Sequence, residues 1–329
     1  MNKNELHTYV ENKCGNIRAI IGLKNGKVLY EDYWEGFQPK DSLNVMSVTK
    51  SVTSLLIGIA IDKGFIKDVN QKVLELFNDY IIKRNEKTIQ NVTIEHLLTM
   101  TAPYKYKSEP WTKVCLSEDW TKAALDLLGG KAGITGEFKY STLGIHILSG
   151  IIAKSSKMPV IDFANSYLFE PLGICPRTGI ELKTAEEHKD FVLSKKPKKE
   201  KWIIDPQGVS TAGWGLCLSV QEMAKIGQMC LDNGMYNSQQ IVSSKWITKS
   251  TNPYYKCNEQ FENMSYGYLW WIVDEKSHAF AAIGDGGNVI YVNPENHVVV
   301  SVASTFKPRV LDRVQFIQKY IEPLLKEEN

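Results

Sequence analysis

The sequence predicts an α/β (α+β) protein. An antiparallel five-stranded sheet, flanked by helices, is built from both chain ends around an inserted all-helical lobe. Three observations carry this reading. Two β-rich runs near the start are separated by Asn25-Gly26, the strongest short hairpin signal. The β pattern returns only near the C-terminal end. Between them, from about residue 67 to 251, apolar residues recur mostly at helical spacing. The expected division is therefore a sheet lobe of residues 1–66 plus 252–329, a helical lobe of residues 67–251, and a cleft between them.

Each element follows in order. The hairpin occupies residues 17–34. After a polar turn, a long apolar helix opens near Ser47 and stops at Gly64, a residue suited to the position just past a helix end. In the inserted segment, helices are predicted from Thr93, over residues 143–153, and over residues 219–231, the last ended by Asn233-Gly234. Residues 279–283, 289–293 and 298–303 predict three further strands, the last two joined by Pro294-Glu295-Asn296. Apolar periodicity over residues 310–325 predicts a closing helix.

Composition narrows the function. The 329 residues carry 39 Lys+Arg against 37 Asp+Glu, a net charge of +2, which argues against a nucleic-acid partner. The lysine-rich residues 195–201 are broken by Pro197 and read as a solvated loop. A 43% apolar share excludes a disordered chain. The longest apolar run, residues 55–61, is too short for membrane insertion, which takes about 20 residues. Residues 1–13 are polar and lack the apolar stretch of a secretory signal, so the expected location is the cytoplasm. Six scattered cysteines without a C-x-x-C pair suit free thiols in a reducing compartment. Neither H-x-x-x-H nor H-E-x-x-H occurs, so no metal is expected.

Three short elements carry chemistry. Ser47-Val48-Thr49-Lys50 is an S-x-x-K motif opening an apolar helix. A spacing of three puts both side chains on one face, where an amine can serve a hydroxyl nucleophile. The helix start adds unpaired N–H groups that favour a developing oxyanion. A second match, Ser304 to Lys307, follows a predicted strand and reads as incidental. The next element is Phe138-Lys139-Tyr140-Ser141-Thr142, before a predicted helix. A tyrosine there can point into a cleft, where neighbouring cations would lower its phenol pKa, or it can serve as a packing or capping residue. The last is Gly284-Asp285-Gly286-Gly287-Asn288, between two predicted strands. Its glycines fit either the close approach of a ligand backbone or a bulge or bend.

In this order the three elements resemble the serine β-lactamase and penicillin-binding-protein-like superfamily, particularly its class C-like hydrolase and esterase branch. The resemblance spans nearly the whole chain. Thr93 to Thr99 (TIEHLLT), Gly213-Trp214-Gly215-Leu216, Asn233-Gly234 followed by Gln240-Ile241-Val242, and the aromatic run from Tyr266 to Trp271 also fit it. It implies that Ser47 attacks a carbonyl to form an acyl-enzyme, with no cofactor. Lys50, partly desolvated, would accept the serine proton directly or through Tyr140. Tyr140 would pass a proton to the leaving group and help activate the deacylating water. The oxyanion hole would use the N–H of Ser47 and one from the Gly-rich strand, assigned to Asn288, with Gly286 and Gly287 beside it.

Two positions depart from the family pattern. Thr142 stands where relatives usually carry Asn and lacks that amide's two donors. Asp285 stands where β-lactamases and D-Ala-D-Ala peptidases carry Lys or His, and its negative charge would repel a substrate carboxylate. The expected partner is therefore a small neutral or amine-bearing ester or amide. Two alternatives stay open: a β-lactamase or D-Ala-D-Ala carboxypeptidase-type penicillin-binding protein, and a non-catalytic sensor on the same fold that keeps Ser47 but deacylates slowly. An α/β-hydrolase is disfavoured because no G-x-S-x-G occurs. Tyr104, Tyr106 and Trp111 sit in a loop that either lines the cleft or packs on the surface. The oligomeric state is not encoded in any motif.

Overall fold

An eight-stranded sheet organises the chain in the computed structural model, which describes residues 1–262, 264–310 and 312–325. Its strands are β1 (Ile17–Lys24), β2 (Lys27–Tyr33), β3 (Tyr255–Lys256), β4 (Ser265–Tyr266), β5 (Trp271–Asp274), β6 (Ala279–Gly284), β7 (Asn288–Asn293) and β8 (Val298–Ser304). They lie in the order β2-β1-β8-β7-β6-β5-β4-β3, each neighbouring pair antiparallel. The two chain ends meet where β1 pairs with β8. The sheet is thus mixed with helices and built from both ends, but it has eight strands rather than five. The additional strands are β3, β4 and β5. Two of them are only two residues long, too short to display the period-two alternation that marks a strand.

Helices cover both faces of the sheet. The apolar residues of β1 divide between them: Ala19, Ile21 and Leu23 face one core, Ile20 the other. On the first face lie α2 (Val48–Asp62) and α4 (Val220–Leu231); on the second lie α1 (Lys3–Lys13) and the C-terminal helical run. Burial on both sides explains why β7 and β8 read as continuous apolar runs. Helix α1 has no counterpart in the sequence reading, because only Leu6 and Val10 are buried and its periodicity is faint. Its start is held by a capping box between Asn2 and Glu5.

The closing helix begins at Arg313, capped by Asp312, and tightens into a 3-10 turn over Glu322–Leu325, where Pro323 has no amide hydrogen to donate. Of its predicted extent, Leu311 lies outside the described residues, as do residues 326–329 of the predicted sheet lobe.

The inserted segment is not all-helical. Thr178–Glu181 and Lys201–Ile204 form a parallel pair, and Met235–Tyr236 and Gln239–Gln240 a small hairpin. Helix α4 from this segment rests on the sheet so closely that a Cβ on Gly227 would lie 2.5 Å from Val299 Cγ1. The helix expected over residues 143–153 is α3 (His146–Ser156), displaced because residues 142–145 form a turn. All six cysteines are unpaired. Among the described residues, no helix is long and apolar enough to cross a membrane, and no cluster of three or more His, Cys, Asp or Glu is placed to hold a metal.

Helix α2 is the central pillar. Every residue from Val48 to Ala60 is buried. Its polar side chains are satisfied by backbone on both sides: Ser51 Oγ donates to Leu269 O at 2.6 Å, and Thr53 Oγ1 to Ala212 O at 2.8 Å. Its N-terminus is thereby pinned between the sheet and the inserted segment.

Candidate active site

The chain enters α2 through a corner with defined supports. Leu43–Asn44 pairs with Cys217–Leu218, and Val45 N donates to Leu216 O at 2.9 Å. Asn44 Oδ1 then accepts the N–H of Met46 at 3.1 Å. Met46 is held at φ +52°, a left-handed conformation that costs a side-chain-bearing residue about 1 kcal/mol. Ser47 follows at the helix cap with no capping hydrogen bond from its side chain, so its hydroxyl is not consumed by the helix.

Lys50, one turn on, donates from Nζ to Ser47 Oγ at 2.8 Å and to Gly213 O at 2.9 Å. Only 2% of its surface is exposed. Burial pulls the amine down to about 7, against the opposing pull of the Glu109 and Asp285 carboxylates. The carbonyl of Gly213 approaches because that residue has no side chain: a Cβ there would lie 2.8 Å from Thr142 Cγ2 and 2.9 Å from Thr142 O.

Tyr140 completes the group. Its ring centroid is 4.9 Å from Lys50 Nζ, and the ring stacks on Trp271 at 6.0 Å and 19°. Phe261 and Tyr266 close the aromatic surround. The phenol is not lowered by cations as the sequence suggested. Burial pushes it up, with Asp285 and Glu109 adding to the rise and the hydrogen bond with Ser47 opposing it. Tyr140 therefore stays protonated in the resting site.

The Gly-rich segment is a hairpin turn between β6 and β7, not the interior of a strand: Gly284 pairs with Asn288, and Gly286 and Gly287 take φ of +81° and +87°. A Cβ on Gly284 would lie 2.3 Å from Val45 O and 3.1 Å from Ser47 N. Beyond it, Asp285 is exposed. A cleft of about 630 Å³ is lined by Ser47, Tyr140, Thr142, Asp285, Gly286 and Gly287, among others.

Asn288 is absent from that lining. It is fully buried, its amide donates to Asp285 O at 3.1 Å, and its Oδ1 accepts from Ser304 N at 2.9 Å. Its side chain braces the turn, and its backbone, expected to supply the oxyanion N–H, pairs with Gly284 across the hairpin. Among the described residues, the N–H groups of Ser47 and Asp285 have no acceptor.

The aromatic loop divides its members. Tyr106 lines a recess beyond Tyr140, Tyr104 is buried against Gly144, and Trp111 stays 42% exposed beside Trp214. One residue the sequence reading missed lies in the same loop. Glu109 Oε1 accepts from Leu143 N at 2.7 Å and from Ser141 Oγ at 3.2 Å. An isolated carboxylate 31 positions before Tyr140 in an irregular loop leaves no spacing signal; only the fold joins the two.

A profile of the Beta-lactamase family matches residues 19–318. The 6-aminohexanoate-dimer hydrolase of Paenarthrobacter ureafaciens is 24% identical over 324 residues, covering 91% of this chain and 75% of that protein. Among solved structures, the octameric penicillin-binding protein homologue from Pyrococcus abyssi superposes with a TM-score of 0.73 at 22% identity, over 99% of this chain and 78% of that one. EstCE1, a hydrolase with promiscuous acyltransferase activity, gives a TM-score of 0.72 at 12% identity, over 98% and 97%. At these identities the structural likeness is one of fold.

Proposed function

The chain belongs to the beta-lactamase family, and from that premise we propose that it is a serine hydrolase cleaving a small ester or amide. The observation that carries the proposal is the 2.8 Å contact between Ser47 Oγ and the buried amine of Lys50. An ordinary lysine is charged at neutral pH and cannot accept a proton; one pulled to about 7 is neutral in half the molecules at that pH.

In the proposed reaction the Ser47 hydroxyl proton passes to Lys50 Nζ as Oγ bonds to the substrate carbonyl carbon. The oxyanion is received by the N–H of Ser47 and, in place of Asn288, by the N–H of Asp285, both of which lack acceptors among the described residues. Tyr140, kept protonated by burial and by the Asp285 and Glu109 carboxylates, relays the proton from Lys50 to the leaving group as the carbonyl re-forms. A water then attacks the acyl-enzyme by the same route in reverse, releasing the acid and restoring Ser47. We place the cleft between a lobe of residues 1–66 plus 252–329 and a lobe of residues 67–251, and the protein in the cytoplasm.

Asp285 and Glu109 are the charges that act on Lys50, and both are acidic. They favour neutral or amine-bearing substrates over carboxylates, which weighs against penicillin and D-Ala-D-Ala peptide chemistry. The name of the Paenarthrobacter relative describes an amino-acid dimer, an amide with an amine at one end and a carboxylate at the other; it matches the amide and amine favoured here, not the exclusion of a carboxylate.

The test compares continuous turnover of a p-nitrophenyl ester with stoichiometric labelling. Sustained release of p-nitrophenol by wild type, abolished in Ser47→Ala, supports a hydrolase. A single burst equal to the enzyme concentration indicates a slowly deacylating sensor.

A further inference from the structure

We propose that Glu109 is a positioning residue for the Ser47 chemistry: its carboxylate clamps the turn after Tyr140 and so holds the phenol against the nucleophile. This rests on the serine-hydrolase reading above. Besides the burial of Leu143 and Ile145, the turn has one weaker tie, the Ser141 N–H on Met100 Sδ at 3.4 Å. Residues 141–145 precede α3, whose cap residue Ile145 has no side-chain capping bond. The Leu143 N–H is tied instead by Glu109 Oε1 at 2.7 Å, and the Ser141 hydroxyl donates to the same oxygen at 3.2 Å. Ser141 Oγ in turn accepts from the Gly144 N–H at 2.8 Å and from the Tyr106 hydroxyl. One carboxylate oxygen thus anchors a network joining Ser141, Leu143 and Gly144, which begins next to Tyr140. Lys139, on the other side, is held by Lys139 N donating to Met100 O at 2.7 Å. Tyr140 sits between two fixed points, and Glu109 makes the second.

The carboxylate also acts through its charge. The groups facing Lys50 are Ser47 on its own helix, the Gly213 carbonyl, the Tyr140 ring, and the more distant Glu109 and Asp285. Around Glu109 stand Ser141, Tyr106, Lys139 and Cys115. Its negative charge favours the protonated amine of Lys50, so removing the charge alone moves the onset of activity to lower pH.

The experiment measures kcat, KM and the pH dependence of kcat/KM with a p-nitrophenyl ester for wild type, Glu109→Ala and Glu109→Gln, alongside fluorophosphonate labelling of Ser47. Glu109→Ala is expected to lower kcat about 10- to 100-fold with KM nearly unchanged, as a displaced catalytic group does. Glu109→Gln keeps an acceptor for Leu143 N; it should retain most of kcat and move the acidic limb down by about half a pH unit. An unchanged kcat in Glu109→Ala, or an acidic limb that does not move in Glu109→Gln, overturns the proposal while wild-type turnover leaves the hydrolase reading standing. Should Glu109→Ala fail to fold, the pH profile of Glu109→Gln decides alone. Wild type that neither turns over ester nor labels at Ser47 removes both.

Discussion

Gly284 and Ser47 touch backbone to backbone across the two ends of the chain: a Cβ on Gly284 would stand 3.1 Å from the Ser47 amide nitrogen and 2.3 Å from the carbonyl oxygen of Val45. Both are rigid main-chain atoms, so a side chain at 284 must push β6 away from the corner that carries the nucleophile. Gly284→Ala is expected to lower kcat about 100-fold, the usual effect of losing one oxyanion donor. Overpacking should cost about 1 to 3 kcal/mol of stability. Steady-state kinetics with a thermal melt check both.

Lys50 predicts a pH dependence of fixed sign. Its amine is lowered to about 7, so kcat/KM should rise with pH through about 7 and level above it. Stability runs the same way. Below the folded value the amine is charged in both states, and the folded protein bears the whole burial penalty. As pH rises from about 7 to the ordinary 10.5, the unfolded chain alone holds the proton, and stability climbs. Lys50→Met should therefore be inactive yet melt about 5 °C higher at pH 6, with the gain shrinking towards pH 10. A melt lower than wild type at pH 6 contradicts this.

Tyr140→Phe separates chemistry from packing. The ring that stacks on Trp271 at 6.0 Å is kept and only the hydroxyl is lost. The melting temperature should hold within a degree or two, while kcat falls by about 100-fold or more, as for loss of a general acid–base group. An unchanged kcat would remove Tyr140 from the proton path.

Asp285 tests charge selection. Asp285→Asn should raise kcat/KM for a carboxylate-bearing ester relative to a neutral one by about tenfold, the effect of removing one like charge at close range. It should also shift the acidic limb downwards, because Asp285 raises Lys50. The ratio of the two substrates, measured in wild type and variant at one ionic strength, decides it.

What could be read in advance follows from how local each signal is. The β1–β2 hairpin announced itself through Asn25-Gly26, and the three strands after residue 278 through long apolar runs. Ser47 and Lys50 share one helical turn, so their proximity is legible as spacing. The rest depends on contacts between distant segments. Strands β3 and β4 are two residues each and gain their identity from pairing with each other and, for β4, with β5. The parallel pair of Thr178–Glu181 with Lys201–Ile204 interrupts a segment whose pattern is helical. Asn288 looked like an oxyanion donor because it ends a Gly-rich motif, yet it opens a fully buried strand, where its backbone pairs with Gly284 and its side chain satisfies itself inward on Asp285 O and Ser304 N. The direction of the Tyr140 shift failed for a related reason: burial, with Asp285 and Glu109, outweighs the lowering by Ser47.

Intact-mass analysis of wild type and Ser47→Ala after exposure to a small ester, a fluorophosphonate and a penicillin tests the central claim most directly. The expected result is one covalent adduct per wild-type chain with the fluorophosphonate, rapid turnover of the ester, no lasting penicillin adduct, and no adduct of any kind on Ser47→Ala. Wild type that stays unmodified by every probe, or Ser47→Ala that is labelled as fully as wild type, would contradict it.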